Sequence, residues 1–187
     1  MRLLEHALTA AGYAEQHAVA REQTAVVLVR VGQYQQARAE YATARELLQR
    51  ALAIEEAVYG PEHPEVAITL TNLGSVQREL GELQEARVTL RRALAIKEAV
   101  YGSEAPEVGG MLINLLGIVQ CQLGELEEAR LTLRRARAIN EVVHGPEHPE
   151  VASALTNLGI VQRQLGELQE ARVTQQRARD LRGRLRV

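Results

Sequence analysis

Apolar residues recur along most of the chain at spacings of three and four residues, which is the spacing of one face of an α-helix. One such stripe consists of Val66, Leu70, Leu73 and Val76. Gly81 interrupts this stripe, and a second stripe then runs from Leu83 to Ile96. Because no strand-like alternation of apolar and polar residues occurs, the pattern predicts an all-α fold built from pairs of helices.

The helix pairs belong to a sequence repeat. The thirty residues from Gly60 to Thr89 return from Gly145 to Thr174 with four changes. The words NLG or NLLG begin at Asn72, Asn114 and Asn157, which gives steps of 42 and 43 residues. A period of this length is typical of a solenoid, in which stacked copies bury a core that one helix pair cannot bury alone.

Two units depart from this period. If Gly32 in VLVRVGQYQQAR matches Gly81, the first unit is seven residues longer than the others, with the excess near Gln33–Arg45, and Ala25 takes the place of Gly74. The third unit has one extra residue within Val108–Gly117. One residue added inside a helix rotates all later positions by about 100°.

Two structures could absorb the extra residue of the third unit. We predict a π-bulge near Leu112–Leu116, which would turn Asn114 or Leu115 towards a ligand surface. The alternative is a later helix start, eased by Gly109 and Gly110.

The repeated residues resemble a known family. The matching positions are Leu70, Leu73, Gly74, Gly81, Leu83, Ala86, Leu90 and Ala93. Their order is similar to the tetratricopeptide repeat (TPR) pattern, and the long second helix with GPEHPEV between units is similar to the kinesin-light-chain class and its bacterial relatives. The resemblance implies a right-handed TPR superhelix, an α-solenoid of antiparallel helix pairs.

The resemblance also divides the chain. We expect a single solenoid over residues 1–187, with a partial repeat or N-terminal helix at 1–11. The four repeats are expected at 14–60, 61–102, 103–145 and 146–187, and the last includes a C-terminal cap. In that cap Gln175 replaces Leu90 and Leu133, so we expect Gln175 to be exposed to solvent on a polar terminal face.

Composition and charge narrow the function. The net charge is -2, which gives the whole molecule no electrostatic attraction to nucleic acid. No stretch is long and apolar enough to cross a membrane, and the lone Cys121 fits a reducing compartment. We therefore expect a cytoplasmic protein that binds neither nucleic acid nor a membrane.

The resemblance implies that the first helix of each unit lines the inner groove of the superhelix. Residues beside the Leu-Gly pair would then face a bound peptide, and an Asn amide can both donate to and accept from a peptide backbone. The predicted groove residues are Gln23, Val26, Arg30, Thr71, Asn72, Ser75, Arg78, Asn114, Ile118, Cys121, Thr156, Asn157, Ile160 and Arg163. Asn at these positions could instead serve structure alone.

Catalytic and metal sites are not indicated. His63 and His148 recur, but the third unit has Ala105 at the matching position, so these residues fit helix starts better than a metal site. Cys121 has no nearby His to act as a base. We expect no enzyme activity, no metal and no cofactor.

The sequence therefore predicts a non-catalytic scaffold that binds a protein or peptide partner in its groove. Two alternatives stay open. The chain could be a regulatory arm of a larger signalling protein, or an architectural solenoid that associates with itself through its N-terminal end.

Overall fold

The computed structural model describes residues 5–6, 9, 12–13, 20–105, 108 and 110–184, with only the backbone at 110–112 and 114. Within these residues all regular structure is helical. The helices are α1 (Arg21–Ala37), α2 (Tyr41–Tyr59), α3 (Pro64–Glu79), α4 (Leu83–Tyr101), α5 (Gly110–Gln122), α6 (Leu126–His144), α7 (Pro149–Gln164) and α8 (Leu168–Arg184). The predicted all-α fold is thus confirmed, whereas the partial repeat predicted at 1–11 lies largely outside the described residues.

Short turns separate the helices. Gly81, Gly124 and Gly166 follow the first helix of three pairs with φ between +78° and +82°, a left-handed conformation that glycine adopts without a steric penalty. His63 and His148 precede α3 and α7, and each Nδ1 accepts a hydrogen bond from the backbone N–H two residues later. These caps allow the helices to begin directly at Pro64 and Pro149.

The two helices of each pair approach closely at one glycine. A Cβ on Gly74 would lie 2.6 Å from the Cγ of Leu90, and a Cβ on Gly117 would lie 2.6 Å from the Cγ of Leu133. Both leucines are fully buried. The glycines therefore admit a large apolar side chain between two helix backbones.

The chain divides into two compact units, Met1–Ile96 and Lys97–Val187. In the first unit, one core cluster between α2 and α3 contains Ala44, Leu48, Leu73 and Val76. In the second unit, the corresponding cluster between α6 and α7 contains Ala129, Leu133, Leu158 and Val161. Each unit thus uses the same register to stack one helix pair on the next.

The first repeat is not longer than the others, so the predicted seven-residue excess is wrong. Gly32 packs against Leu48, with a Cβ on Gly32 lying 3.0 Å from the Leu48 Cγ, as Gly74 packs against Leu90. Gly32 and Gly74 are 42 residues apart, which is the ordinary step. The counterpart of Gly81 is Ala39, which adopts the same left-handed turn at φ +61°. Because an alanine occupies the position of the turn glycine, the sequence pattern aligns Gly32 with Gly81 instead of Gly74.

Ala39→Gly is expected to raise the free energy of unfolding by about 0.5–1 kcal/mol, because it removes the strain of a left-handed alanine, about 1–2 kcal/mol, at the cost of a more flexible unfolded chain. Thermal unfolding followed by circular dichroism measures the effect. As a control, Ala53→Gly in the middle of α2 should destabilise by about 1 kcal/mol. A lower melting temperature for Ala39→Gly would contradict the assigned turn.

The third repeat accommodates its extra residue before α5 rather than inside this helix. α5 is an unbroken α-helix from Gly110 to Gln122, so the predicted π-bulge at Leu112–Leu116 is wrong. Val108 lies in a separate turn, and its N–H donates to the Ala105 carbonyl at 3.0 Å. The later helix start, the alternative that the sequence left open, is the one observed.

Two features explain this later start. The buried residues Val108 and Ile113 are five positions apart, whereas their counterparts Val151 and Leu155 in α7 are four apart, so the extra residue lies between them. Ala105 also replaces the capping histidine of the other units and offers no side-chain acceptor. A shortened helix therefore costs less here than a bulge within it.

Gln175 in α8 is half-buried rather than exposed, which corrects the expectation for the terminal helix. A Cβ on Gly159 would lie 2.6 Å from the Gln175 Cγ, so the aliphatic part of Gln175 fills the place that leucine fills in the other units. The amide also lies near this glycine, with Nε2 3.4 Å from the same Cβ position. Among the described residues, no helix has the length and apolarity needed to cross a membrane.

Candidate peptide-binding surface

Four predicted groove residues of the second compact unit, Lys97–Val187, meet in a cleft between α5 and α7. The cleft has a volume of about 270 Å³ and is lined by Ile118, Cys121, Gln122, Leu133, Asn157, Ile160 and Gln164. Ile118 and Cys121 come from α5, Asn157 and Ile160 come from α7, and Leu133 of α6 forms part of the wall. Four predicted residues of the third and fourth repeats therefore share one surface.

The cleft combines an apolar wall with amide groups. Ile118 and Ile160 are both half-buried, so part of each side chain faces solvent. Asn157, Gln122 and Gln164 contribute amides that can donate and accept hydrogen bonds. A small number of polar groups around an apolar depression is the usual composition of a binding site.

Cys121 helps to hold the two walls of the cleft together. Its Sγ lies 3.1 Å from Oε1 of Gln164, as donor to that oxygen. Burial raises the pKa of the Cys121 thiol, which favours the neutral thiol over the nucleophilic thiolate. The geometry therefore fits a packing and hydrogen-bonding role for Cys121.

Gln122, Leu133 and Gln164 are missing from the sequence-based set. Gln164 lies seven residues after Asn157 and Gln122 lies four after Ile118, so helical spacing could have placed both on the same face. Leu133 belongs to a different helix, and its contribution depends on the packing of α6 behind α5 and α7.

In the first compact unit, Met1–Ile96, most of the predicted groove residues of α3 already form hydrogen bonds or ion pairs within the chain. Ser75 Oγ accepts a hydrogen bond from Nε2 of Gln36 at 3.0 Å. Arg78 forms an ion pair with Glu79. Thr71 donates to the Ala67 carbonyl at 2.7 Å, as Thr156 of α7 donates to the Ala152 carbonyl at 2.7 Å. These side chains therefore have structural partners already.

Asn72 differs from these neighbours. Its side chain is half-buried, and its Nδ2 is buried with no hydrogen-bond partner among the described residues. A buried amide donor without a partner costs about 1–3 kcal/mol. The Asn72 amide therefore keeps a donor that no described residue uses.

The remaining predicted residues are separated from these surfaces or fall outside the described side chains. Gln23, Val26 and Arg30 are exposed on α1, and with the corrected register Arg30 takes the place of Asn72. Arg163 is exposed on α7 and lies outside the cleft. The side chain of Asn114 is not described.

The Asn row is interrupted in the third repeat. Because α5 continues without a bulge, Leu115 is the residue two positions before Gly117, as Asn72 precedes Gly74 and Asn157 precedes Gly159. Leu115 is half-buried. The third repeat thus has an apolar residue where the second and fourth have an amide.

Comparisons with known proteins agree with this repeat architecture. The sequence profile of the tetratricopeptide repeat family matches residues 23–99 and 107–183. Among curated proteins, none matches the sequence.

Several solved structures share the fold. BtubC (BKLC) from P. vanneervenii has a TM-score of 0.81 at 22% identity, and the match covers 90% of this chain and 66% of that chain, just under two thirds of its length. TPR-like repeats of kinesin-light-chain type from P. anserina give 0.77 at 21% identity, with 97% and 86% of the two chains covered. The Sgt2 TPR domain from Aspergillus fumigatus gives 0.58 at 20% identity, with 76% and 80% covered. The predicted TPR solenoid fold is thereby confirmed, and two of these similar structures are of the kinesin-light-chain type that the sequence resembles.

Proposed function

Because this chain belongs to the tetratricopeptide repeat family, we propose that it is a non-catalytic scaffold that binds a peptide or partner helix, with one contact surface on α3 and another in the cleft between α5 and α7. TPR repeats are in general protein-interaction modules, and their fold is typically non-catalytic. The proposal adds the surface and the mode of binding to that general statement.

The cleft between α5 and α7 is the observation that carries the proposal. Ile118 and Ile160 offer an apolar surface to one side chain of the ligand, and the Asn157 amide lies beside them. An extended peptide has free N–H and C=O groups along its backbone, which amide side chains can satisfy. We infer that the apolar wall holds a ligand side chain while Asn157 fixes the adjacent backbone.

Asn72 of α3, in the first compact unit, supports the proposed contact with a ligand backbone. Its buried Nδ2 has no partner among the described residues, so turning this half-buried side chain towards a ligand carbonyl would remove the cost of an unsatisfied donor. The two asparagines would then act as matching backbone contacts in the second and fourth repeats.

The proposal also covers location and ligand class. We infer a cytoplasmic protein, since its lone cysteine fits a reducing compartment. A net charge of -2 favours protein ligands over nucleic acid. The proposed binding function needs no metal or cofactor.

A purified partner would allow a direct test with Asn72→Ala/Asn157→Ala. We expect this variant to bind with a free energy weaker by about 1–3 kcal/mol in total, because two hydrogen bonds to the ligand backbone are lost. Isothermal titration calorimetry measures the affinity, and circular dichroism checks that helicity is retained.

To identify a partner, a photo-crosslinking residue at Ile160 can be compared with one at Val88, which is 63% exposed on α4. A partner that crosslinks at Ile160 and not at Val88 would be purified for the calorimetry. Equal affinities of wild type and the double asparagine variant would refute the proposed backbone contacts. A large loss of thermal stability in that variant would assign the asparagines to structure instead.

A further inference from the structure

A second surface lies on the exposed face of α8, away from the cleft. A shallow groove of about 830 Å³ follows this helix and is lined in part by Arg172, Gln175, Gln176 and Arg179. A pocket of about 250 Å³ adjoins it between α7 and α8, lined by Thr156, Arg163, Gln175, Ala178, Arg179 and Arg182. No described helix covers this face. We call Arg163, Arg172, Arg179 and Arg182 together the arginine face.

The four arginines have no carboxylate partner in the described part of the chain, although counterparts of three of them in other repeats do. Arg137 in α6 pairs with Glu141, but the counterparts of these two residues in α8 are Arg179 and Gly183. Arg137 lies 3.2 Å from Glu141, one helical turn away. The change from glutamate to glycine therefore leaves Arg179 unpaired.

The same loss occurs at two more positions. Arg78 pairs with Glu79 in α3, whereas Arg163 is followed by Gln164 in α7. Arg130 pairs with Glu127 at 2.6 Å in α6, whereas the residue three before Arg172 is Gln169. Each arginine is kept and each acidic neighbour is replaced by a neutral residue.

The fourth arginine adds charge where another repeat has none. Arg182 takes the place of Asn140, which is 1% exposed in α6. As a result α8 carries five arginines against Glu170 and Asp180, a net charge of +3 on a chain whose total is -2. Arg163 and Arg182 also lie in the last turns of α7 and α8, where a cation stabilises the helix end, but this explanation does not apply to Arg172 and Arg179.

The equivalent face of α6 shows what kind of element fits here. α7 packs against α6 through Ala129, Leu133, Leu158 and Val161. The turn that succeeds α7 supplies Glu167, which forms an ion pair with Arg130. A helix ending near a carboxylate is therefore the natural occupant of this face, and Arg172 is the counterpart of Arg130.

From these observations we propose that the arginine face binds an acidic helical segment of a partner protein, which lies across α8 as α7 lies across α6. Carboxylates of the segment pair with Arg163, Arg172, Arg179 and Arg182, and its apolar residues contact Leu168, Ala171 and the aliphatic part of Gln175. This surface is distinct from the cleft between α5 and α7.

Charge distinguishes this occupant from a second copy of the same chain. Of the helices given above, the first, α1, contains Arg21 and Arg30 against Glu22, a net charge of +1, so α1 of a second copy would not supply the acidic surface that α8 requires. Nucleic acid is disfavoured because neither α7 nor α8 contains an aromatic residue on which bases could stack.

The chain itself provides a probe. Residues 149–167 contain α7 and Glu167, the segment that covers α6. A synthetic peptide of this sequence with Gln164→Glu should bind the 187-residue protein, because Gln164 contacts Cys121 and Arg163 is the counterpart of Cys121 in α7. A control peptide has Gln at both 164 and 167. Fluorescence anisotropy of the labelled peptides measures binding.

We expect the acidic peptide to bind at least about tenfold more tightly than the neutral one, with an affinity that falls as salt is added. Arg163→Gln/Arg172→Gln should weaken its binding at least about tenfold. Arg21→Gln/Arg134→Gln removes the same charge from exposed positions elsewhere and should change binding less than about twofold. Asn157→Ala should leave binding unchanged, which separates this surface from the cleft.

Other outcomes would overturn the proposal. Equal binding of the two peptides, or no effect of Arg163→Gln/Arg172→Gln in a protein with unchanged helicity, would show that the arginine face is not the site. Displacement of the peptide by inorganic phosphate, but not by chloride of equal ionic strength, would indicate a simple oxyanion site. A molecular mass that rises with concentration in sedimentation velocity, and is reduced by Arg172→Gln, would identify a second copy as the occupant.

Discussion

Leu133→Gln is expected to lower the free energy of unfolding by about 2–4 kcal/mol, the largest single effect that we predict for this chain. Leu133 is fully buried between α6, α5 and α7. A glutamine there loses apolar burial and places an amide in a dry contact, where an unsatisfied polar group costs about 1–3 kcal/mol. Urea unfolding of the unliganded protein measures the difference.

The chain contains the matched control for this substitution. Gln175 occupies the same register in the last pair and is only half-buried. Gln175→Leu should leave the stability within about 0.5 kcal/mol, and it should promote association by enlarging the apolar part of the α8 face. If Leu133→Gln proves as stable as wild type, the contact with Gly117 is not the dry packing that the structure shows.

Gly74→Ala is expected to destabilise the protein by about 1–2 kcal/mol. The added Cβ would lie 2.6 Å and 2.7 Å from two carbon atoms of Leu90, which is fully buried and cannot move aside. Overpacking of this kind costs about 1–3 kcal/mol, and the better helix propensity of alanine offsets up to about 1 kcal/mol of it. Thermal and urea unfolding report the net effect.

Gly159→Ala is the matched comparison for Gly74→Ala. Its Cβ would meet the Gln175 Cγ at 2.6 Å, but Gln175 is half-exposed on the last helix and can change rotamer. The net effect at Gly159 should therefore lie near zero or be slightly stabilising. The pair Gly74→Ala/Leu90→Ala should show positive coupling, since removing Leu90 removes the clash. Equal losses at Gly74 and Gly159 would mean that helix approach, rather than the facing side chain, sets the cost.

The fold could be predicted from the sequence because the repeat places glycine, leucine and alanine at fixed positions. The wrong length predicted for the first repeat arises from one residue. Gly32 is a packing glycine that faces Leu48, yet its sequence context resembles that of the turn glycine Gly81. The true turn residue is Ala39, whose positive φ cannot be recognised from its identity. Residue type identifies a turn only where the backbone conformation demands glycine.

The third repeat shows a different limit of prediction from sequence. Its residues alone determine neither where α5 begins nor how the extra residue is absorbed, because both a bulge and a late start keep Leu116 and Gly117 in register. Their relative cost depends on the helix end. A capping side chain is absent at Ala105, so unwinding the first turn is cheap. Comparison with His63 and His148 could have favoured the later start.

The two binding surfaces were predictable to different degrees. Ile118, Cys121, Asn157 and Ile160 could be placed near one another because helical spacing puts them on corresponding faces of two stacked helices. The many arginines of α8 are visible in the sequence, but their grouping with Arg163 was not predicted, because the face joins α7 to α8, where Arg163 and Arg182 are 19 residues apart. The signal that could have revealed it is the replacement of Glu79 and Glu141 by neutral residues in the last repeat.

The near-identity of α3 and α7 has a consequence for folding. Their buried residues fall at the same positions, and Gly74 and Gly159 present equivalent surfaces to Leu90 and Gln175. During refolding, α7 can therefore dock onto α4, and between two chains the same exchange yields a swapped dimer. We expect α5 to limit such mispairing, since its late start at Gly110 and its Leu115 distinguish the intervening repeat from both copies.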